Sequence, residues 1–333
     1  MESFNASKEQ LKPLEVLAQN AITKFGLPKD SSIKLINYSE NITYKVENSD
    51  SGEIFALRVH RPDYHTLEAI ESELTWMLAL SNETDVLTSI PIIGADGTMV
   101  QTGSAEGLKT DRYCVMFHWI DGQFPNEDNL SSAFILLGAV TARMHSHSRS
   151  WNLPKKFTRH SWDLENIFGN NPVWGHWQNA IGLSKDGYAI LSRLETTLKN
   201  KLNLFENTGD RTGLVHADLR LDNILMNNNG PNVIDFDDCG FSWYLYDFAT
   251  AVSFIEDRKD MNELITSWVE GYRTVQPLSI EEEKELPTFI LLRRLLLTAW
   301  IASHYDTSLA QSLGKDYTNG SCALAEDYLV KYG

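Results

Sequence analysis

One stretch of the 333 residues constrains the fold more than any other: LVHADLRLDNILMNNNGPNVIDFDD, from Leu214 to Asp238. Within it, NILM and NVIDF flank the Asn-rich, Gly-containing turn NNNGP, which reads as two short strands joined in a hairpin. The surrounding sequence has a different texture. FILLGAVTARMH, YAILSRLETTLKNKL and FILLRRLLLTAWIASHY place apolar residues at helical spacing. The hairpin is therefore expected inside a mainly helical half of the chain.

The other half is rich in strands. Leu11, Leu14, Leu17, Ala18, Ala21, Ile22 and Phe25 predict an opening amphipathic helix, with Ser7 and Gln10 placed as its capping box. IKLINY, TYKVEN and IFALRV, with a turn at Ser51-Gly52, alternate as antiparallel strands. A helix from about Thr66 to Leu80 follows, and two further strands, IPII and RYCVMFHW, flank an Asp96-Gly97 turn. A chain of this length exceeds the usual single core. The expected fold is α+β and two-lobed: residues 1–117 form a lobe with a five-stranded antiparallel sheet and an inserted helix, 118–122 a short hinge, and 123–333 a helical lobe carrying the hairpin.

The hairpin segment also carries chemistry. It holds His216, Asp218, Asn223 and, after the second strand, Asp235, the HxDxxxxN pattern with a terminal Asp that suits phosphoryl transfer. Such transfer needs a carboxylate beside the attacking hydroxyl and oxygen ligands for magnesium. Asp218 is the candidate to orient the hydroxyl and accept its proton, and Asn223 and Asp235 are the candidate Mg2+ ligands. A lone HxDxxxxN arises by chance in many chains, but here the predicted strand, turn and strand supply its context. His216 is expected to be a scaffold group, and Asp247 in LYDFA a buried carboxylate accepting backbone N–H bonds. Asp237 and Asp238 either join the metal site or cap the next turn.

Composition excludes some alternatives. Against 45 Asp and Glu stand 29 Lys and Arg, a net charge of −16 with no basic cluster, so a nucleic-acid partner is not expected. Cys114, Cys239 and Cys322 are far apart and lack metal-ligand spacing, which fits a reducing cytoplasm. The N-terminus has no signal-peptide pattern, and the most apolar late run, FILLRRLLLTAWI, is split by Arg293 and Arg294, so no membrane association is expected. The acidity favours a cationic small molecule, and Trp162, Trp174, Trp177, Trp243 and Tyr246 could pack around its ammonium group.

HADLRLDN followed by VIDFDDCGFSWYLYDFATAV resembles the catalytic and metal-binding segments of the aminoglycoside phosphotransferase and choline kinase superfamily, which has the protein-kinase-like fold. YSENITYKV, ALRVHRPDYHT, ESELTWMLAL and RRLLLTAWIASH are similar to its bacterial stress-response Ser/Thr kinases and homoserine-kinase-like members. The resemblance implies ATP, bound in the cleft between the lobes. It implies that YSENITY, with Ser39 and Asn41, covers the phosphates, and that Arg58 stands where the family usually has Lys, with Glu73 as its partner. It also implies adenine contacts from the backbone at Phe117 and Trp119, and a place for Arg220 near the transferred phosphate.

Three functions follow from these readings: a small-molecule kinase, a protein Ser/Thr kinase of the stress-response type, and a non-catalytic ATP-binding regulator. Only twelve positions separate Asp235 from Asp247, too few for the long activation segment on which typical protein kinases dock peptides. A small hydroxyl substrate bearing an amine is the favoured acceptor, and a protein substrate remains the alternative.

Overall fold

A computed structural model describes residues 8–38, 41–126, 129–206 and 210–333. The chain divides into two compact units, one of residues 1–122 with 153–159, the other of 123–152 with 160–333.

In the first unit, α1 (Lys8–Lys24) precedes β1 (Ser32–Tyr38), β2 (Ile42–Glu47) and β3 (Ile54–Val59), and α2 (Leu67–Glu83), β4 (Leu87–Thr88), β5 (Val100–Gly103) and β6 (Arg112–His118) follow. Five strands form one sheet in the order β1-β2-β3-β6-β5, every neighbouring pair antiparallel. Strand alternation sends Ile42, Tyr44 and Val46 of β2, and Phe55, Leu57 and Val59 of β3, onto one face. There they meet Leu14, Leu17, Ala18, Ala21 and Ile22 of α1 in a single core. Thr66 caps α2 by accepting the Ala69 N–H. The capping box expected at Ser7 and Gln10 lies outside the described residues.

Two expectations need correction here. The fifth strand is VQTG of β5, not IPII. Residues 90–93 make one isolated bridge, Pro91 to Phe117, flanked by Ile92 N–H donating to the Met116 carbonyl (2.8 Å) and His118 N–H donating to that of Ile90 (3.0 Å). Strand β5 takes the same edge of β6 from Arg112 to Val115. Residues 153–159 also belong with the first unit rather than the second. They dock on α2, where Thr158 N–H donates to Ser72 Oγ (3.0 Å) and Arg159 Nη1 to the Ala69 carbonyl (3.0 Å).

The second unit is mainly helical: α3 (Leu130–Ser150), α4 (Leu164–Phe168), α5 (Lys185–Glu206), α6 (Tyr246–Ala251), α7 (Met261–Arg273), α8 (Ile280–Ser303) and α9 (Ser308–Tyr332). Its strands make two antiparallel pairs, β7 (Thr212–Val215) with β10 (Gly240–Trp243), and the hairpin of β8 (Ile224–Asn227) with β9 (Gly230–Val233). Among the described helices, α8 is long and apolar enough to cross a membrane by composition. However, 78% of that stretch is buried, and Arg293 and Arg294 within it are paired with Asp218 and Glu256.

Helices α3 and α7 approach backbone to backbone through glycine. A Cβ on Gly138 would lie 2.1 Å from the Trp268 carbonyl oxygen, and one on Gly271 would lie 1.8 Å from that of Ile135. Neither contact can be relieved by rotating a side chain. This crossing brings His145 of α3 to Tyr272 of α7, with Nδ1 and the hydroxyl 3.0 Å apart. Gly138→Ala and Gly271→Ala are each expected to cost about 1–3 kcal/mol or more through overpacking. Denaturant unfolding at constant slope will measure it.

Candidate active site

After β7 the chain does not continue as a strand, because a buried carboxylate at the start of α6 collects its amides. Asp247 Oδ2 accepts from His216 N–H (3.1 Å) and Oδ1 from Ala217 N–H (2.7 Å). Thr250 Oγ1 accepts from Leu219 N–H (2.9 Å). Asp247 is thus the buried acceptor of loop amides that its place in LYDFA suggests. His216 is the expected scaffold: its Nε2 donates to the Ile234 carbonyl (3.1 Å) and its Nδ1 accepts from Asp218 N–H (3.2 Å).

This loop leads through a short 3-10 turn at Leu221–Asn223 into β8. Ile234 N–H donates to the Asn223 carbonyl (2.9 Å), so the hairpin returns Asp235 to the neighbourhood of Asn223. Ala217 and Asp235 both have left-handed backbone, φ 65° and 59°, at a cost of about 1–3 kcal/mol each for non-glycine residues.

The Asp218 carboxylate accepts three side-chain hydrogen bonds. Its Oδ1 accepts from Arg293 Nη2 (2.8 Å), and its Oδ2 from Asn223 Nδ2 (2.8 Å) and Arg220 Nε (3.3 Å). Burial would favour loss of the Arg220 proton, but Asp218, Asp222 and Asp235 outweigh it and hold the pKa above its ordinary value. Asn223 spends its other Nδ2 proton on the Asp218 carbonyl (2.8 Å), which leaves Oδ1 as its unengaged polar atom. Asp235 is exposed, whereas Asp237 and Asp238 are buried. The Asp238 carbonyl is held by Trp162 Nε1 (2.8 Å) and His160 Nε2 (3.1 Å).

Among the described residues no group of three or more His, Cys, Asp or Glu could hold a metal. One carboxylate and one amide oxygen fit a divalent ion that keeps waters and phosphate oxygens as its other ligands, as magnesium does.

In the first unit, alternation along β3 puts Arg58 on the sheet face opposite Leu57 and Val59. Its Nη2 meets Glu73 Oε1 of α2 at 2.6 Å, with both side chains buried, and its guanidinium lies 5.2 Å from the Phe117 ring. The Asn41 side chain accepts from Arg61 N–H (3.0 Å). Ser39 lies outside the described residues.

Part of the backbone expected to read adenine is engaged within the sheet. Trp119 N–H donates to the Ile54 carbonyl (3.3 Å), and Phe117 is still within β6, between Ala56 and Pro91. The sheet persists to His118, one residue into the hinge expected at 118–122.

Residues 33–278 match the phosphotransferase enzyme family (APH). The chain belongs to this family. It is accordingly a phosphotransferase acting on a hydroxyl, with ATP and a divalent metal ion as cofactors. The structure is similar to that of a microcompartment-associated aminopropanol kinase, with a TM-score of 0.88, 43% identity and coverage of 96% of this chain and 98% of that one. The sequence is 23% identical to amicoumacin kinase of Bacillus subtilis, over 94% of each chain. The choline kinase LicA of Streptococcus pneumoniae shares the fold, with a TM-score of 0.63 at 13% identity and coverage of 96% and 99%.

Arg293 is the residue of this phosphotransferase site that sequence reasoning missed. Its sole signal was charge inside an apolar helical run. The expected aromatic surround also needs revision. Trp162, Trp174 and Tyr246 do cluster, but the cation against Trp174 and Tyr246 is Arg293, with its guanidinium 5.1 and 5.7 Å from the two rings. Trp177 instead bonds Glu195 (2.8 Å) and Trp243 packs on Phe289.

The support beneath the site can be tested by pH. Burial pushes the His145 pKa down, against the pull of Asp247 3.0 Å from Nε2. Tyr272, pushed up to about 12 by burial, stays protonated and can donate to Nδ1. A His neutral in the folded state and protonated in the unfolded one contributes stability above the unfolded pKa of about 6.5 and loses it as pH falls below that value. His145→Gln is therefore expected to lower Tm most near pH 7, with the gap to the parent narrowing toward pH 5. Thermal unfolding across that range will show it.

Proposed function

We propose that the acceptor is a small amino alcohol, and that Asp218 orients its hydroxyl for attack on the γ-phosphate of ATP. The observation that carries the acceptor class is the 43% identity, over nearly the whole of both chains, to an aminopropanol kinase. The site's chemistry supports the same reading. Twelve positions separate Asp235 from Asp247, and four of the intervening residues are committed to β10, paired with β7. That leaves no extended segment on which a peptide could lie, so the protein-kinase reading is the weaker one.

In this assignment Asn223 Oδ1 and the Asp235 carboxylate hold a divalent metal, which when bound neutralises phosphate charge. Arg58, fixed by Glu73, holds ATP phosphates in place of the usual Lys, and Asn41, whose side chain accepts the Arg61 N–H, joins it on the phosphates. Arg220 supplies positive charge beside Asp218 where charge develops on the phosphoryl oxygens. Asp218 accepts the hydroxyl proton as the new O–P bond forms. We place the enzyme in the cytoplasm, on the strength of its three free cysteines.

Asp218→Asn is expected to lower kcat by on the order of 10²-fold or more with ATP affinity nearly unchanged, whereas Asp235→Ala should abolish metal-dependent ATP binding in calorimetry. Arg58→Ala should raise the KM for ATP. Steady-state rates on matched amino alcohols, neutral isosteres and generic protein substrates test the acceptor class. Faster phosphorylation of the neutral compounds, or activity on protein alone, would overturn it.

A further inference from the structure

Helix α8 is buried on nearly all sides, and Arg293 in its middle is 1% exposed. Burying a guanidinium costs about several kcal/mol unless its donors are matched. Here they are matched by groups from separate parts of the second unit. Nε donates to Ser253 Oγ (3.1 Å), Nη1 to the Tyr246 hydroxyl (3.0 Å) and, at 3.5 Å, to the Ala217 carbonyl, and Nη2 to Asp218 Oδ1 (2.8 Å).

The neighbouring Arg294 shows what a structural arginine looks like in the same helix. Its Nη1 pairs at 2.7 Å with Glu256, which is wholly buried, and its Nε is bonded to Ser321. Its anion has no exposed face. Arg293 likewise has one charged partner and otherwise neutral anchors, but it differs in that the Asp218 side chain is 16% exposed. The guanidinium is thus located independently of the carboxylate and presents one N–H to it. The anion it meets is the one facing solvent, where an acceptor would arrive.

We propose that Arg293 is a positioning residue for phosphoryl transfer. Through its bond to Oδ1 it fixes the rotation of the Asp218 carboxylate, while Asn223 and Arg220 hold Oδ2, so that the remaining lone pairs meet the acceptor hydroxyl in one orientation. This rests on the assignment of Asp218 made above. A lysine would keep the charge but could not serve Ser253, Tyr246 and Asp218 together, because it lacks the planar fork.

The test is steady-state kinetics on Arg293→Lys and Arg293→Met, with ATP and an amino alcohol. Misplacing a reacting group by about 1 Å costs roughly 10²-fold. Arg293→Lys is therefore expected to lose about 10- to 100-fold in kcat, with KM for ATP within about twofold, and Arg293→Met to lose more. In an Asp218→Asn background, Arg293→Lys should cost nothing further, since it acts through that carboxylate.

Unchanged kcat in Arg293→Lys, or a loss that simply adds to that of Asp218→Asn, would overturn the proposal and leave Arg293 a packing residue. Should the Arg293 variants fail to fold, Ser253→Ala and Tyr246→Phe each remove one anchor. A severalfold drop in kcat at retained Tm supports the clamp, and unchanged kcat in both sinks it. Full turnover by Asp218→Asn itself would instead show that the site assignment had failed.

Discussion

The second unit is organised around one buried carboxylate. Asp247 receives two consecutive amides of the loop after β7 and the imidazole of His145, so it ties α6 and α3 to the segment that carries Asp218. A fully buried anion is tolerable only when its lone pairs are occupied. Here backbone amides supply two of its three hydrogen bonds, which makes the loop's conformation a condition of the anion's burial. Loop shape and helix packing therefore stabilise one another. The glycine contacts of α3 with α7 belong to the same arrangement, since they set the distance at which Tyr272 supports His145.

The parts of this design that were legible in the sequence are those encoded locally. The hairpin, the HxDxxxxN spacing and the amphipathic α1 each occupy a few tens of residues, and period and turn chemistry suffice to read them. The pairing of Arg58 with Glu73 was readable through resemblance, because strand and helix bring the two together in a stereotyped way.

What was misread depended on partners distant in sequence. IPII has the composition of a strand, but β5 takes the edge of β6 from Arg112 to Val115 and leaves IPII a single bridge at Phe117. The backbone at Trp119 was expected to face adenine, and the carbonyl of Ile54, 65 positions earlier, takes its N–H. Arg293 lies 75 positions from Asp218. In a one-dimensional reading it was merely a charge interrupting an apolar run, and nothing local distinguishes it from Arg294.

The crowding of donors around Asp218 bears on what that residue is suited to do. Two guanidinium groups and an amide on its oxygens leave the carboxylate little freedom to rotate. Phosphoryl transfer asks for little base strength. Its transition state is largely dissociative, and catalysis comes mainly from positioning and charge. A carboxylate whose rotation is fixed from both sides, on a loop whose left-handed Ala217 is enforced by Asp247, supplies that positioning. The strain at Ala217 and Asp235 fits the same logic. Both residues adopt backbone that a free loop would abandon, and both are held where the hairpin and α6 overdetermine the chain.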